Sequence, residues 1–256
     1  MMKKNDSRTP LSLGLWNSLM FFITRKLLWR FRRPTFITLL GGPGAGKGTV
    51  AVELAPALGL THLSTGALIR REIAQGTDFG KQVKEIVESG GLAPDELVMA
   101  ILERALRAPE NRHGVILDGF PRTLPQAQML DQLLAGWGVS LTKAIWLELS
   151  KADLIERLSL RRTCSNPSCG RTYHLKFQPP QVEGKCDACG SPLIQRKDDS
   201  TDSIETRLVT YEVESAPLRQ YYQGTKGGVL AFINPTNAMS KSEVLAKVTT
   251  VLKDRS

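Results

Sequence analysis

The chain has 256 residues, 41% of them hydrophobic and 23% charged, which is enough to bury the core of one domain or of one domain with inserts. Its formal net charge is +9 at pH 7, but Lys3, Lys4, Arg8, Arg25, Lys26, Arg30, Arg32 and Arg33 against Asp6 alone place +7 of it in residues 1–33. The remaining +2 is ordinary, so a global basic surface for nucleic acid is not supported.

In residues 1–33 apolar side chains (Leu11, Leu15, Leu19, Phe22, Leu27, Trp29, Phe31) alternate with basic ones. The longest uncharged stretch, Leu11 to Thr24, is shorter and more polar than the roughly 20 apolar residues of a spanning helix. Its basic cluster lies downstream of the apolar part, the reverse of a secretory signal. Three readings stand: a helix in the interface of an anionic membrane, a disordered tail, or a start assigned too far upstream, with Met20 or another internal start as the true one.

From Thr35 onward, short β-type runs alternate with helical patterns. Strands are expected over Thr35–Leu40, Val115–Leu117, Ala144–Leu149 and Val229–Ile233. Helices are expected over Lys47–Leu58, Leu68–Gln75, Phe79–Ser89, Pro94–Arg107, Leu124–Leu134, Lys151–Arg162, Thr201–Tyr222 and Lys241–Asp254. That alternation predicts an α/β fold with a parallel sheet flanked by helices. Residues 64–94 and 163–199 interrupt it as inserts, so the domain proper is taken as 35–256 with 1–34 as an extension.

The first strand runs into GGPGAGKGT, residues 41–49. Gly44, Ala45, Gly46, Lys47, Gly48 and Thr49 form a glycine-rich turn entering a helix. Its inward N–H groups and the helix dipole make an anion nest. Lys47 offers an ammonium to β/γ-phosphate oxygens. Gly48 stands where a Walker motif has Ser or Thr, and Thr49 follows.

HGVILDGFPRT, His113 to Thr123, is an apolar strand ending in Asp118. A carboxylate there, beside a phosphate loop, can hold the water shell of Mg²⁺. Gly119 and Pro121 turn the chain and offer Arg122 to a phosphate.

The four cysteines follow C-x4-C-x16-C-x2-C: Cys164, Cys169, Cys186 and Cys189. Two close pairs separated by a short hairpin suit a tetrahedral, structural Zn²⁺. Two disulfides are the alternative, but a secreted disulfide framework goes with a short chain and a cleavable signal. A reducing cytoplasm is therefore expected. His174 is a poorer ligand candidate than the thiolates.

GGPGAGKGT, STGALIR (Ser64 to Arg70), DGFPRT (Asp118 to Thr123) and RKDD (Arg196 to Asp199) followed by Arg207, in this order, resemble the adenylate kinases of the long bacterial type. The resemblance runs from about Phe36 to near the C-terminus. It implies a P-loop kinase with a five-stranded parallel sheet, an AMP-binding insert (64–94) and a zinc-bearing LID (163–199). The implied reaction is MgATP + AMP ⇌ 2 ADP in a monomer, with no nucleic-acid partner.

By this resemblance Thr65 and Arg70 hold AMP, Arg122 holds its phosphate and Gln126 reads its adenine. Gly91, Leu92, Ala93 and Gly119 line the same pocket. Arg157 lies beside the ATP adenine, Arg161 and Arg196 near the transferring phosphate, and Arg207 between the nucleotides. Thr172 and Tyr173 close over ATP, and Asp198 and Asp199 latch the LID onto arginines. The chain departs from the family at Ala67, where Asp is frequent, at Gly91, where Lys is common, and in the x4 spacing of the first cysteine pair. Two rivals remain: another nucleoside monophosphate kinase (UMP/CMP acceptor or GTP donor), and a P-loop ATPase with a zinc nucleic-acid module.

Overall fold

The computed structural model describes residues 33–224 and 229–253. The membrane, tail and start-site readings of residues 1–32 lie outside them. Among the described residues no helix is long and apolar enough to cross a membrane.

Five strands, β1 (Thr35–Gly41), β2 (Thr61–Ser64), β3 (Gly114–Asp118), β4 (Lys143–Leu147) and β8 (Leu230–Ile233), form one parallel sheet in the order β2-β3-β1-β4-β8. Central β1 is buried from Phe36 to Leu40 without alternation, as expected of a strand covered on both faces. Ile37, Leu39, Ile116 and Ile145 pack with α1 (Lys47–Leu58), α6 (Lys151–Ser159), α7 (Thr201–Gly224) and α8 (Lys241–Lys253). Phe36 meets Trp137 beyond the end of α5 (Leu124–Gly136), with ring centroids 6.4 Å apart.

The strand order reverses at β1, with β3 on one side and β4 on the other, so the crevice at its carboxyl end is where an open α/β sheet takes its ligand. Leu39 is in register with Asp118, and the Gly119 N–H donates to Leu39 O at 3.2 Å. Thr38, fully buried in β1, donates its hydroxyl to the Phe120 carbonyl. The turn there contains a cis Phe120–Pro121 peptide. The two phosphate motifs, ending at Thr49 and beginning at His113 in the sequence, thus become neighbours.

The first insert contains α2 (Thr65–Gln75) and α3 (Asp78–Glu88), and α4 (Asp95–Leu106) follows. The second holds an antiparallel sheet ordered β6-β5-β7, from β5 (Arg161–Cys164), β6 (Thr172–His174) and β7 (Leu193–Ile194).

Two elements differ from expectation. β2, THLS, is half-buried at every residue, because as an edge strand it needs no apolar period. The helix expected over Lys151–Arg162 stops at Ser159. Arg161 and Arg162 instead pair with His174 and Tyr173 in the antiparallel sheet, so Arg161 sits on a strand, not on a helix face.

Candidate active site

The loop after β1 enters α1 through Gly46, whose φ of 90° is a left-handed conformation costly for any residue with a Cβ. No side chain caps α1, which leaves its first N–H groups directed at the crevice. Thr49 is exposed on this first turn. Ala45 is buried and its N–H donates to Gly42 O at 3.1 Å, closing the loop. Lys47 Nζ donates to the carbonyls of Gly41 and Gly42 at 2.7 and 2.8 Å. Burial pulls its pKa down to about 7, with the nearby arginines adding to the shift and Asp118 opposing it.

Gly48 explains its own departure from the Walker pattern. A Cβ there would lie 3.1 Å from Asp118 Oδ2. That oxygen also meets His62 Nε2 at 3.2 Å. Burial raises the Asp118 carboxyl, but the hydrogen bond from His62 and the charge of Lys47 outweigh it and hold it below the ordinary range. His62 carried no signal in the sequence, since only tertiary pairing of β2 with β3 brings it to Asp118.

Six cationic side chains (Lys47, Arg70, Arg122, Arg161, Arg196, Arg207) converge on three carboxylates, Asp118, Asp198 and Asp199. Burial is the main cause that lowers the pKa of Lys47, Arg70, Arg122, Arg196 and Arg207, aided by mutual repulsion; Arg122 falls to about 10. An excess of buried positive charge is costly without a counter-anion, so the crevice is built for phosphate.

On the α2 side, Thr65 is buried and donates to Gly119 O at 3.0 Å, while Arg122 Nε donates to the same carbonyl at 2.9 Å. Arg70 and Arg122 guanidinium nitrogens both lie close to Gly66. Thr65, Leu92, Ala93, Gly119, Arg122 and Gln126 line one cleft. Gly91 is not in that lining; its N–H donates to Ile86 O at 2.8 Å.

On the opposite side Arg157 lies beside Gly44 and Gly46 and donates to Asn237 Oδ1 at 2.8 Å. The loop after β8 therefore walls this side, a contribution that nothing in its composition signalled. Arg196 is held by hydroxyls, Nε to Thr163 at 2.8 Å and Nη2 to Thr172 at 3.1 Å.

The Sγ atoms of Cys164, Cys169, Cys186 and Cys189 lie within 4.8 Å of one another, and none is in a disulfide. The separations of 3.4 Å (Cys164–Cys189) and 3.6 Å (Cys169–Cys186) come near the ~3.8 Å edge of a tetrahedron with Zn–S bonds of about 2.3 Å. The four residues could thus hold one metal ion. Tyr173 is packed among them: its hydroxyl is 3.4 Å from Cys186 Sγ and accepts the Asp187 N–H at 2.7 Å. Its side chain thus belongs to the buried cysteine cluster. His174 turns Nδ1 to the N–H groups of Lys176 and Phe177, away from the cysteine group.

A parallel sheet with a phosphate loop at its switch point, beside a cleft and a set of buried cations, defines a P-loop phosphotransferase. A family model described as Adenylate kinase matches residues 39–227. The chain is 45% identical over 217 residues to the adenylate kinase of Carboxydothermus hydrogenoformans, covering 85% of this chain and 99% of that one. It is 43% identical to that of Moorella thermoacetica, covering 79% and 92% respectively. The chain belongs to the adenylate kinase family.

Proposed function

We propose that this enzyme moves the terminal phosphoryl group of MgATP to AMP, reversibly, giving two ADP. One observation carries the reading: the buried cations lie between a cleft beside α2 and the side walled by Arg157 and Asn237. A nucleotide on each side would bring donor and acceptor phosphates into the same positive field. Transfer then needs in-line placement and charge neutralisation rather than a covalent enzyme intermediate.

In this reading Gly44 to Thr49 cradle the donor phosphates. Arg157 flanks the donor base, and Thr172 and the main chain of Tyr173 close over it. Thr65, Arg70, Arg122, Gln126 and the backbone of Gly91 to Ala93 hold the acceptor. Arg161, Arg196 and Arg207 stabilise charge on the group in transit. Asp118 would orient the water shell of a bound Mg²⁺, which would supply charge neutralisation to the donor phosphates. Closure of the cysteine-bearing insert excludes water and so protects ATP from hydrolysis.

The four cysteines bind Zn²⁺, which staples an insert whose own buried cluster is only Cys164, Tyr173 and Cys186. The family match runs through this insert, so it is part of the kinase and a nucleic-acid module is not favoured. We place the enzyme in the cytoplasm as a monomer. The basic, apolar composition of residues 1–33 supports peripheral contact with anionic membrane, tested by vesicle co-sedimentation with and without them.

The deciding assay couples ADP formation across AMP, UMP, CMP and GMP with ATP or GTP as donor. AMP with ATP is expected to be the best pair; a preference for UMP or CMP would replace this reading with the pyrimidine one.

A further inference from the structure

Gln126 closes the acceptor cleft and is only 2% exposed. Its Oε1 accepts the Arg122 backbone N–H at 2.8 Å, and its Nε2 donates to Asp95 Oδ1 at 2.7 Å. Asp95 Oδ2 accepts the Thr123 hydroxyl at 2.9 Å. Thr123 Oγ1 in turn caps α5 by accepting the Gln126 N–H at 3.3 Å. Asp95 begins α4 and Gln126 lies in the first turn of α5, so two helices meet in this contact.

A carboxylate only accepts hydrogen bonds and a backbone N–H only donates them. Turning the Gln126 amide over would set its oxygen against Asp95 and its NH₂ against the Arg122 N–H. Both contacts would become repulsive in a buried place, where an unmade hydrogen bond is expensive. The amide is therefore held in one sense. One N–H and one oxygen lone pair remain for a ligand.

We propose that Asp95 is a positioning residue which, through Gln126, sets the base that the acceptor site takes. A 6-amino purine offers an acceptor at N1 and a donor at its amino group, the pattern that pairs with an amide held in one order. A 6-oxo purine presents the reverse pattern and needs the amide turned over. The order that Asp95 enforces selects the 6-amino base and rejects the 6-oxo base. This rests on the cleft being the nucleoside monophosphate site.

The test is kcat/KM for AMP and for IMP, which differ at position 6 and N1 alone, in wild type, D95N and D95S. The wild type should prefer AMP by about 100-fold or more, since a site built around specific hydrogen bonds discriminates strongly. In D95N the new amide can accept or donate, so the AMP/IMP ratio should fall about tenfold, chiefly through a lower KM for IMP. A purely structural role would depress both substrates alike and leave the ratio unmoved. D95S, whose hydroxyl also serves either way, carries the test if D95N fails to fold by circular dichroism. An unchanged ratio in a folded variant overturns the role of Asp95 alone. A wild type that uses AMP and IMP equally overturns it whatever the variants do. A wild type that ignores AMP in favour of another acceptor overturns the functional reading as well.

Discussion

Arg161 and Asp199 form a two-pronged ion pair, Nε to Oδ2 at 2.7 Å and Nη2 to Oδ1 at 2.5 Å. Arg161 starts β5, the strand that enters the cysteine-bearing segment, and Asp199 ends the 3-10 turn that leaves it. The Asp199 side chain is fully buried and also accepts from Arg207 at 2.8 Å. One carboxylate thus ties both ends of the insert to α7. Replacing Asp199 by Ala strands the Arg161 guanidinium, while Arg207 keeps Asp198 Oδ2 at 3.0 Å, and the expected loss is about 3 kcal/mol in urea unfolding. R161A should cost less, because Asp199 keeps Arg207.

Lys47 should link nucleotide binding to pH. Its pKa falls from an ordinary 10.5 to about 7 in the folded protein. Between those values the unfolded chain holds a proton that the fold has released, so this group's contribution to stability rises as pH climbs through that window. Phosphate restores the charge. ATP binding at pH 8 should take up close to one proton, seen by calorimetry in two buffers of different ionisation enthalpy. Uptake should vanish below about pH 6 and in Lys47→Met.

Arg122 lines the cleft with Thr65 and Gln126 and donates to the Gly119 carbonyl, and its charge faces both Arg70 and Arg207. Arg122→Ala should lower kcat by roughly 10³-fold with a smaller change in KM for ATP, as charge clamps on a moving phosphoryl group do. A near-normal kcat would remove Arg122 from the reaction.

Gly48→Ser separates stability from activity. Gly48 lies in the first turn of α1, where any Cβ improves helix propensity by up to about 1 kcal/mol. The same Cβ presses on Asp118 Oδ2 at 3.1 Å. The melting temperature should hold or rise, while the Mg²⁺ concentration for half-maximal rate rises about tenfold, a displaced carboxylate being no longer placed for the water shell.

Metal removal should act on the insert. Native mass spectrometry should find one zinc per chain. Stripping it should lower the melting temperature by about 5–10 °C, because metal binding energy is folding energy in a segment with so small a core. Tyr173→Phe loses the hydroxyl beside Cys186, so zinc transfer to a chelator should quicken by about tenfold or more, as for other groups that support a metal ligand. A chain with two disulfides and no metal would refute the site.

Much of this could be read from the chain alone. The β-type run Thr35–Leu40, the glycine loop and the apolar strand ending in Asp118 are legible locally, since periodicity and backbone freedom act over a few residues. The cysteine spacing states a metal knuckle for the same reason. What stayed hidden depended on contacts between distant segments. THLS gave no strand signal because an edge position asks for no apolar face, and with it His62 escaped notice. Arg161 moved from helix to strand because a partner strand outbid a short helical run. Tyr173 turned into the cysteine cluster, Asn237 came to Arg157 from the far end of the chain, and Asp95 reached Gln126 across two helices. The sequence by itself determined which chemistry is present, because residue type and near spacing decide it. Only the tertiary structure decided which oxygen faces which nitrogen, because that is set by packing between elements the chain keeps far apart.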